Sequence, residues 1–192
     1  RVLFRSVAVL PATGPEVVAD GVAVLVADLC GDRRVDLDPR PVAVPAVADE
    51  ADLRGTVIAD EAGAGKYLAE AVAGADLVVL AVPVGAMADV AAEIAPHLAP
   101  GAIVTDVGSV KQAVIDAVGP HLPEGVHFIP GHPLAGTEHS GPRAGFASLF
   151  RNRWWLLTPL EGTDPDALSR LEALIRAMGA NVEVMEAPHH DL

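Results

Sequence analysis

The sequence is short of several things, and each shortage excludes something. It has a single cysteine, Cys30, so no disulfide can form within the chain. That fits a reducing compartment, and the expected location is cytoplasmic. Bases are half as numerous as acids, 13 against 26, for a net charge of −13 spread over both halves of the chain. Such a field repels nucleic acid and anionic membrane, so neither is an expected partner. No run approaches the roughly 18 apolar residues needed to cross a bilayer, and Arg1–Leu10 lacks the apolar centre of a secretory signal. Aromatics make up only 4% of the chain, which leaves the core to Ala, Val and Leu. An initiator Met is also missing, and the sequence stops abruptly after His190-Asp191-Leu192. The expectation is that the native protein extends beyond both ends.

What is present divides near residue 60. With 51% hydrophobic residues in 192, there is enough apolar material for one ordinary domain. Residues 1–60 are dominated by Val, Ala, Asp and Pro, with Val-Ala-Asp repeated at 18–20, 26–28 and 47–49. Prolines at 11, 15, 39, 41 and 45 break any long helix. Val22–Leu29 alone reads as a strand.

Beyond Ala69 strand and helix alternate. Leu77–Val82 is a β-branched apolar run that suits a strand buried on both faces. Gly85–Leu98 places Met87, Val90, Ala91, Ile94 and Leu98 at helical spacing, and Pro100-Gly101 stops it. Ala102–Val107 is a second strand. A helix follows with Ser109 as its N-cap and Val110, Val114, Ala117 and Val118 on one face. Val126–Ile129 and Trp154–Thr158 read as further strands. Asp164 or Pro165 begins a helix through Met178, and Asn181–Met185 is the last strand. The predicted class is α/β, a Rossmann-like parallel sheet with flanking helices and an irregular or incomplete N-terminal part.

In such sheets ligands bind beyond the carboxyl ends of the strands. The loops there are 83–85, 108–111 and 131–141, which are also rich in Gly, Ser, Thr, His and Glu. His132 directly follows a predicted strand, where an imidazole is well placed for proton transfer. The alternative is a polar turn, and His139 fits that reading better. Gly108-Ser109 ahead of a helix suits an anionic group or a simple cap. His97 and His121 are expected to face solvent, His127 to be structural, and Trp154 and Trp155 to fill the core edge. His132, His139, His189, His190 and Asp191 raise a metal-binding reading. Adjacent His189-His190 is poor geometry for two ligands on one ion, so no metal is expected.

The ordered strings Asp106-Val107-Gly108-Ser109-Val110-Lys111, Gly131-His132-Pro133-Leu134-Ala135-Gly136-Thr137-Glu138-His139-Ser140-Gly141, Leu157-Thr158-Pro159, and Met185 followed by His190-Asp191 resemble the prephenate/arogenate dehydrogenase family, from about Ala69 to Leu192. The resemblance implies oxidative decarboxylation of prephenate or arogenate on the route to tyrosine, with hydride transfer to NAD or NADP. It implies His132 as the base on the substrate hydroxyl and Ser109 as its orienting partner, in contact with substrate as well. Thr137, Glu138 and His190 are implied at the substrate end, and Val82, Pro83, Val84 and Gly108 beside the cofactor. Another NAD(P)-dependent hydroxyacid dehydrogenase is the runner-up, and an inactive or non-catalytic nucleotide-binding segment a third reading. The sequence chooses neither the substrate nor the cofactor, nor feedback inhibition by tyrosine.

Two family parts have no match. Residues 1–60 hold no Gly-x-Gly-x-x-Gly to cradle a pyrophosphate. Gly63-Ala64-Gly65 ends in Leu68 where the third glycine belongs and lies too close to the strand at 77 to serve. The helical dimerisation domain expected after His190 is the other, so 61–188 reads as the nucleotide-binding domain and 189–192 as the start of a truncated second one. Arg143, Arg151 and Arg153 are expected on the surface rather than on substrate carboxylates. Residues 1–60 are expected not to be native to the family; Arg1-Val2-Leu3-Phe4-Arg5-Ser6 reads like a translated sequencing adapter. On that expectation the 192-residue chain as given binds cofactor weakly and is inactive, and the activity belongs to its parent protein, a homodimer.

Overall fold

A computed structural model describes residues 22–27 and 56–60 as backbone, and residues 68–69, 72–136 and 148–192 in full. Five strands form a parallel sheet: β1 (Val22–Ala27), β2 (Thr56–Asp60), β3 (Leu77–Ala81), β4 (Ile103–Asp106) and β5 (His127–Phe128), in the order β2-β1-β3-β4-β5. The chain steps from β1 outward to β2, then crosses to β3 on the other side of β1. The carboxyl ends of β1 and β3 therefore flank the point where strand order reverses, the place at which doubly wound sheets bind ligands.

Alternation along β3 explains the layers. Val78 and Leu80 point to one face, where they pack with Val104 against Met87, Ala91 and Ile94 of α1 (Met87–Ile94) and Val114 and Val118 of α2 (Gln112–Val118). Leu77, Ile103 and Ile129 point to the other face. There they meet Leu171 and Ile175 of α3 (Pro165–Ala177) and the apolar side of a second sheet. The α1 stripe is the one its spacing predicts, with Val90 only half-buried. Asp164 caps α3, accepting from the N–H groups of Asp166 and Ala167 at 2.9 Å each, and Gly179 leaves the helix at φ +85°.

The second sheet is a departure from the single parallel sheet that the alternation predicts. β6 (Gly131–Pro133) pairs antiparallel with β7 (Trp154–Leu157), which pairs parallel with β8 (Asn181–Val184). Gly131–Pro133 thus belongs to a strand and not to a loop. Pro133 is tolerated there because β6 lies at the sheet's edge. Trp155 and Leu157 are buried under α3, whereas Trp154 is 49% exposed on the opposite face. The period of two on one strand splits the tryptophan pair, so only Trp155 fills the core. The chain ends in the short helix α4 (Ala187–His190). Among the described residues no helix is long and apolar enough to cross a membrane.

Candidate active site

The carboxyl ends of β3 and β4 and the start of β6 converge. Val82, Pro83 and Val84 leave β3, and Gly108 and Ser109 leave β4. Gly108 sits against Val84: a Cβ built on it would lie 3.3 Å from the Val84 side chain and 2.9 Å from Asp106 Oδ2. The two segments expected beside the cofactor are therefore packed together, and it is the Asp106 carboxylate that leaves no room for a side chain at Gly108.

Beneath them lies a fully buried ion pair. The Lys111 ammonium donates to Asp106 Oδ2 and to the Gly131 carbonyl. Asp106 also accepts from the N–H of Gly108 at 2.7 Å and of Gly131 at 3.0 Å. Burial pushes the Asp106 carboxyl up, opposed by the adjacent Lys111 charge and these hydrogen bonds. Burial likewise pushes Lys111 down, opposed by Asp106. Each group is tolerated because the other is there. The pair grips both ends of Gly131 and so sets where β6, and hence His132, begins. The expected motif at 106–111 includes both residues, but not their pairing. A charge at the end of an apolar strand, with a lysine five positions on, was the available signal.

The expected helix cap is corrected. α2 starts at Gln112, three residues beyond Ser109, and no side chain of its own caps it. Asp191 does so from the far end of the chain. Its Oδ1 accepts from the Lys111 N–H at 2.8 Å and its Oδ2 from the Gln112 N–H at 2.9 Å. Val110, predicted on the apolar face, is 41% exposed for the same reason: it precedes the helix. Ser109 is half-buried beside Gly108.

His132 and His190, 58 residues apart, are brought together. His132 Nδ1 lies 2.8 Å from His190 Nε2, with the rings edge to face at 5.0 Å between centroids. His190 Nδ1 lies 2.7 Å from Asp191 Oδ1. Burial drives the His132 pKa down to about 4, helped by His190 and Lys111 and opposed by Asp191. His132 is therefore neutral near pH 7. Burial works to raise Asp191, but the N–H donors of Gln112 and Lys111, together with His190, outweigh it and hold the carboxyl below its ordinary value. Thr137, Glu138, His139, Ser140, Arg143 and Gly63–Gly65 lie outside the described residues. His97 and His121 are exposed and His127 is half-buried on β5.

Comparison with known proteins converges on one family. Residues 49–184 match the family model "Prephenate dehydrogenase, nucleotide-binding domain". The cyclohexadienyl dehydrogenase of Zymomonas mobilis is 45% identical over 122 residues, which is 64% of this chain and 41% of that protein. Synechocystis arogenate dehydrogenase superposes with a TM-score of 0.62 at 28% identity, covering 70% of this chain and 51% of that one. A prephenate dehydrogenase from Aquifex aeolicus, solved in complex with hydroxyphenyl propionate and NAD+, gives 0.60 at 29% identity over 68% and 44% of the two chains. The chain thus spans less than half the length of the Zymomonas relative and about half that of the solved structures.

Proposed function

Since this chain belongs to the prephenate dehydrogenase family, we propose that it carries the catalytic half of an NAD(P)-dependent dehydrogenase that oxidatively decarboxylates prephenate or arogenate. The observation that carries this reading is the line from His132 through His190 to Asp191, lying with Gly108 and Val84 at the carboxyl end of the parallel sheet.

A buried imidazole that is neutral near pH 7 is suited to accept a proton from a substrate hydroxyl. As the hydroxyl carbon loses hydride it gains positive character, and transfer of the hydroxyl proton to His132 relieves it. The bond to the ring carboxylate then breaks, carbon dioxide leaves, and the bonding electrons complete the aromatic ring. The new phenol oxygen takes the proton back, so His132 is restored. Ser109, beside Gly108, orients the hydroxyl, and Thr137 and Glu138 line the substrate end. A positioned base contributes roughly 10²–10⁴-fold.

The close packing of Gly108 on Val84 fits a flat ring laid along the carboxyl ends of β3 and β4, so Val82, Pro83, Val84 and Gly108 would hold the nicotinamide end of NAD or NADP. When bound, that group supplies the hydride acceptor. The resemblance also supports a cytoplasmic homodimer for the whole protein. One observation favours the second reading, a segment weak in cofactor binding: between residues 28 and 54, directly after β1, Gly31 is the only glycine.

The test is calorimetric titration of the chain with NAD and with NADP, followed by turnover of prephenate and arogenate, with His132→Asn as control. Nucleotide binding with carbon dioxide release that His132→Asn abolishes is the expected result. Nucleotide binding with turnover of a different hydroxy acid would overturn the substrate assignment. No binding at millimolar nucleotide would favour the second reading.

A further inference from the structure

We propose that His190 and Asp191 are positioning residues that set the tautomer of His132, placing the ring hydrogen on Nδ1 and the lone pair on Nε2. This rests on the reading of His132 as the base, and it changes the role of His190. Its expected place was against substrate, yet both of its ring nitrogens face protein partners.

Asp191 is the fixed point of the line. An ionised carboxylate only accepts hydrogen bonds. This one is held by two backbone N–H groups at the start of α2, so it neither rotates freely nor needs a proton. His190 Nδ1 at 2.7 Å must therefore carry a hydrogen and donate it. In a neutral imidazole the other nitrogen is then an acceptor. His190 Nε2 at 2.8 Å accepts from His132 Nδ1, which leaves the His132 lone pair on Nε2. Each step follows from the one before, and the anchor of the series is a helix end 80 residues away in sequence.

The consequence is chemical. When His132 takes the substrate proton it becomes a cation, and its Nδ1–H then donates along the same line toward the Asp191 charge. Without that charge, His190 is able to turn its hydrogen to Nε2 and donate to His132 Nδ1. The His132 hydrogen would then sit on Nε2, and the ring would have no lone pair to offer there. The arrangement follows the logic of a carboxylate orienting a catalytic imidazole, with a second histidine interposed.

The experiment is nitrogen NMR of the full chain labelled at histidine, at neutral pH, with His132 assigned through His132→Asn. The expected spectrum shows a protonated Nδ1 and an unprotonated Nε2 on His132. His190→Phe removes the acceptor and Asp191→Asn removes the charge, so in both the His132 hydrogen should move to Nε2. His190→Gln restores a carbonyl acceptor and should return it to Nδ1. Turnover should follow the tautomer: kcat falls about 100-fold in the first two variants, KM changes less than kcat, and His190→Gln recovers part of the loss. A protonated Nε2 in the unaltered chain would overturn the proposal even if a variant failed to fold. So would an unchanged His132 tautomer in His190→Phe and Asp191→Asn. Tautomer control seen in a chain that never decarboxylates prephenate or arogenate would uphold the positioning and overturn the functional reading instead.

Discussion

Two carboxylates anchor this end of the molecule, and they do opposite things. Asp106 is wholly buried, pairs with an equally buried lysine, and fixes backbone at Gly108 and Gly131. Asp191 keeps about a quarter of its side chain exposed and faces a histidine that faces a second. The difference teaches that burial decides the role. A pair sealed from water is costly to break and holds geometry. A carboxylate near water, held in its charged form next to imidazoles, directs where their protons sit.

Four changes break or sharpen that contrast. The largest effect is expected for Lys111→Met, which strands the Asp106 charge without its partner. The loss should be about 3–5 kcal/mol, read as a lowered urea midpoint. Gly131→Ala comes next. Its Cβ would lie 2.8 Å from the Trp155 indole nitrogen and 2.9 Å from the Asp106 carbonyl oxygen. Relief of that overlap should cost about 1–3 kcal/mol in the same titration and shift His132 with it. Asp191→Ala should cost only about 1 kcal/mol, the worth of a helix cap. A loss as large as that of Lys111→Met would erase the distinction between the two clusters.

The smallest effect is a slope. The His132 pKa falls from the ordinary 6.5 to about 4 on folding. Between those values the unfolded chain binds a proton that the folded chain does not, so stability should decline as pH drops from about 6.5 toward 4. Asp191, with its pKa depressed on folding, makes a contribution that is lost only at lower pH, as its folded value is crossed. Urea midpoints measured across this range should show a shallower slope in His132→Asn than in the unaltered chain. Equal slopes would place the His132 titration elsewhere.

Much of this was legible in the residues. The β3 run is apolar on both faces and β4 begins the same way with Ile103 and Val104, and only a sheet covered on both sides wants that. The α1 and α3 stripes and the Asp164 cap follow from spacing and from local hydrogen bonding. His132, Ser109 and Gly108 stood out because they follow strands. Less legible was anything that depended on partners distant in sequence. Ser109 looked like a cap because a serine ahead of a helix usually is one, and nothing nearby announced that Asp191 would arrive instead. Trp154 and Trp155 looked alike as a pair, until pairing of β7 with β6 and β8 sent them to opposite faces.

By itself, then, the sequence determined the class of fold, the helices α1, α2 and α3, the family and the short strings at which chemistry collects. These rest on periodicity and on neighbours within a few residues, and both are written along the chain. Tertiary structure alone decided that Lys111 spans to Gly131, that Asp191 closes the start of α2, and that His190 reaches His132. Those contacts join segments 20 to 80 residues apart. Their geometry is set by how the two sheets and the helices around them pack, because a hydrogen bond is made or lost within a few tenths of an ångström.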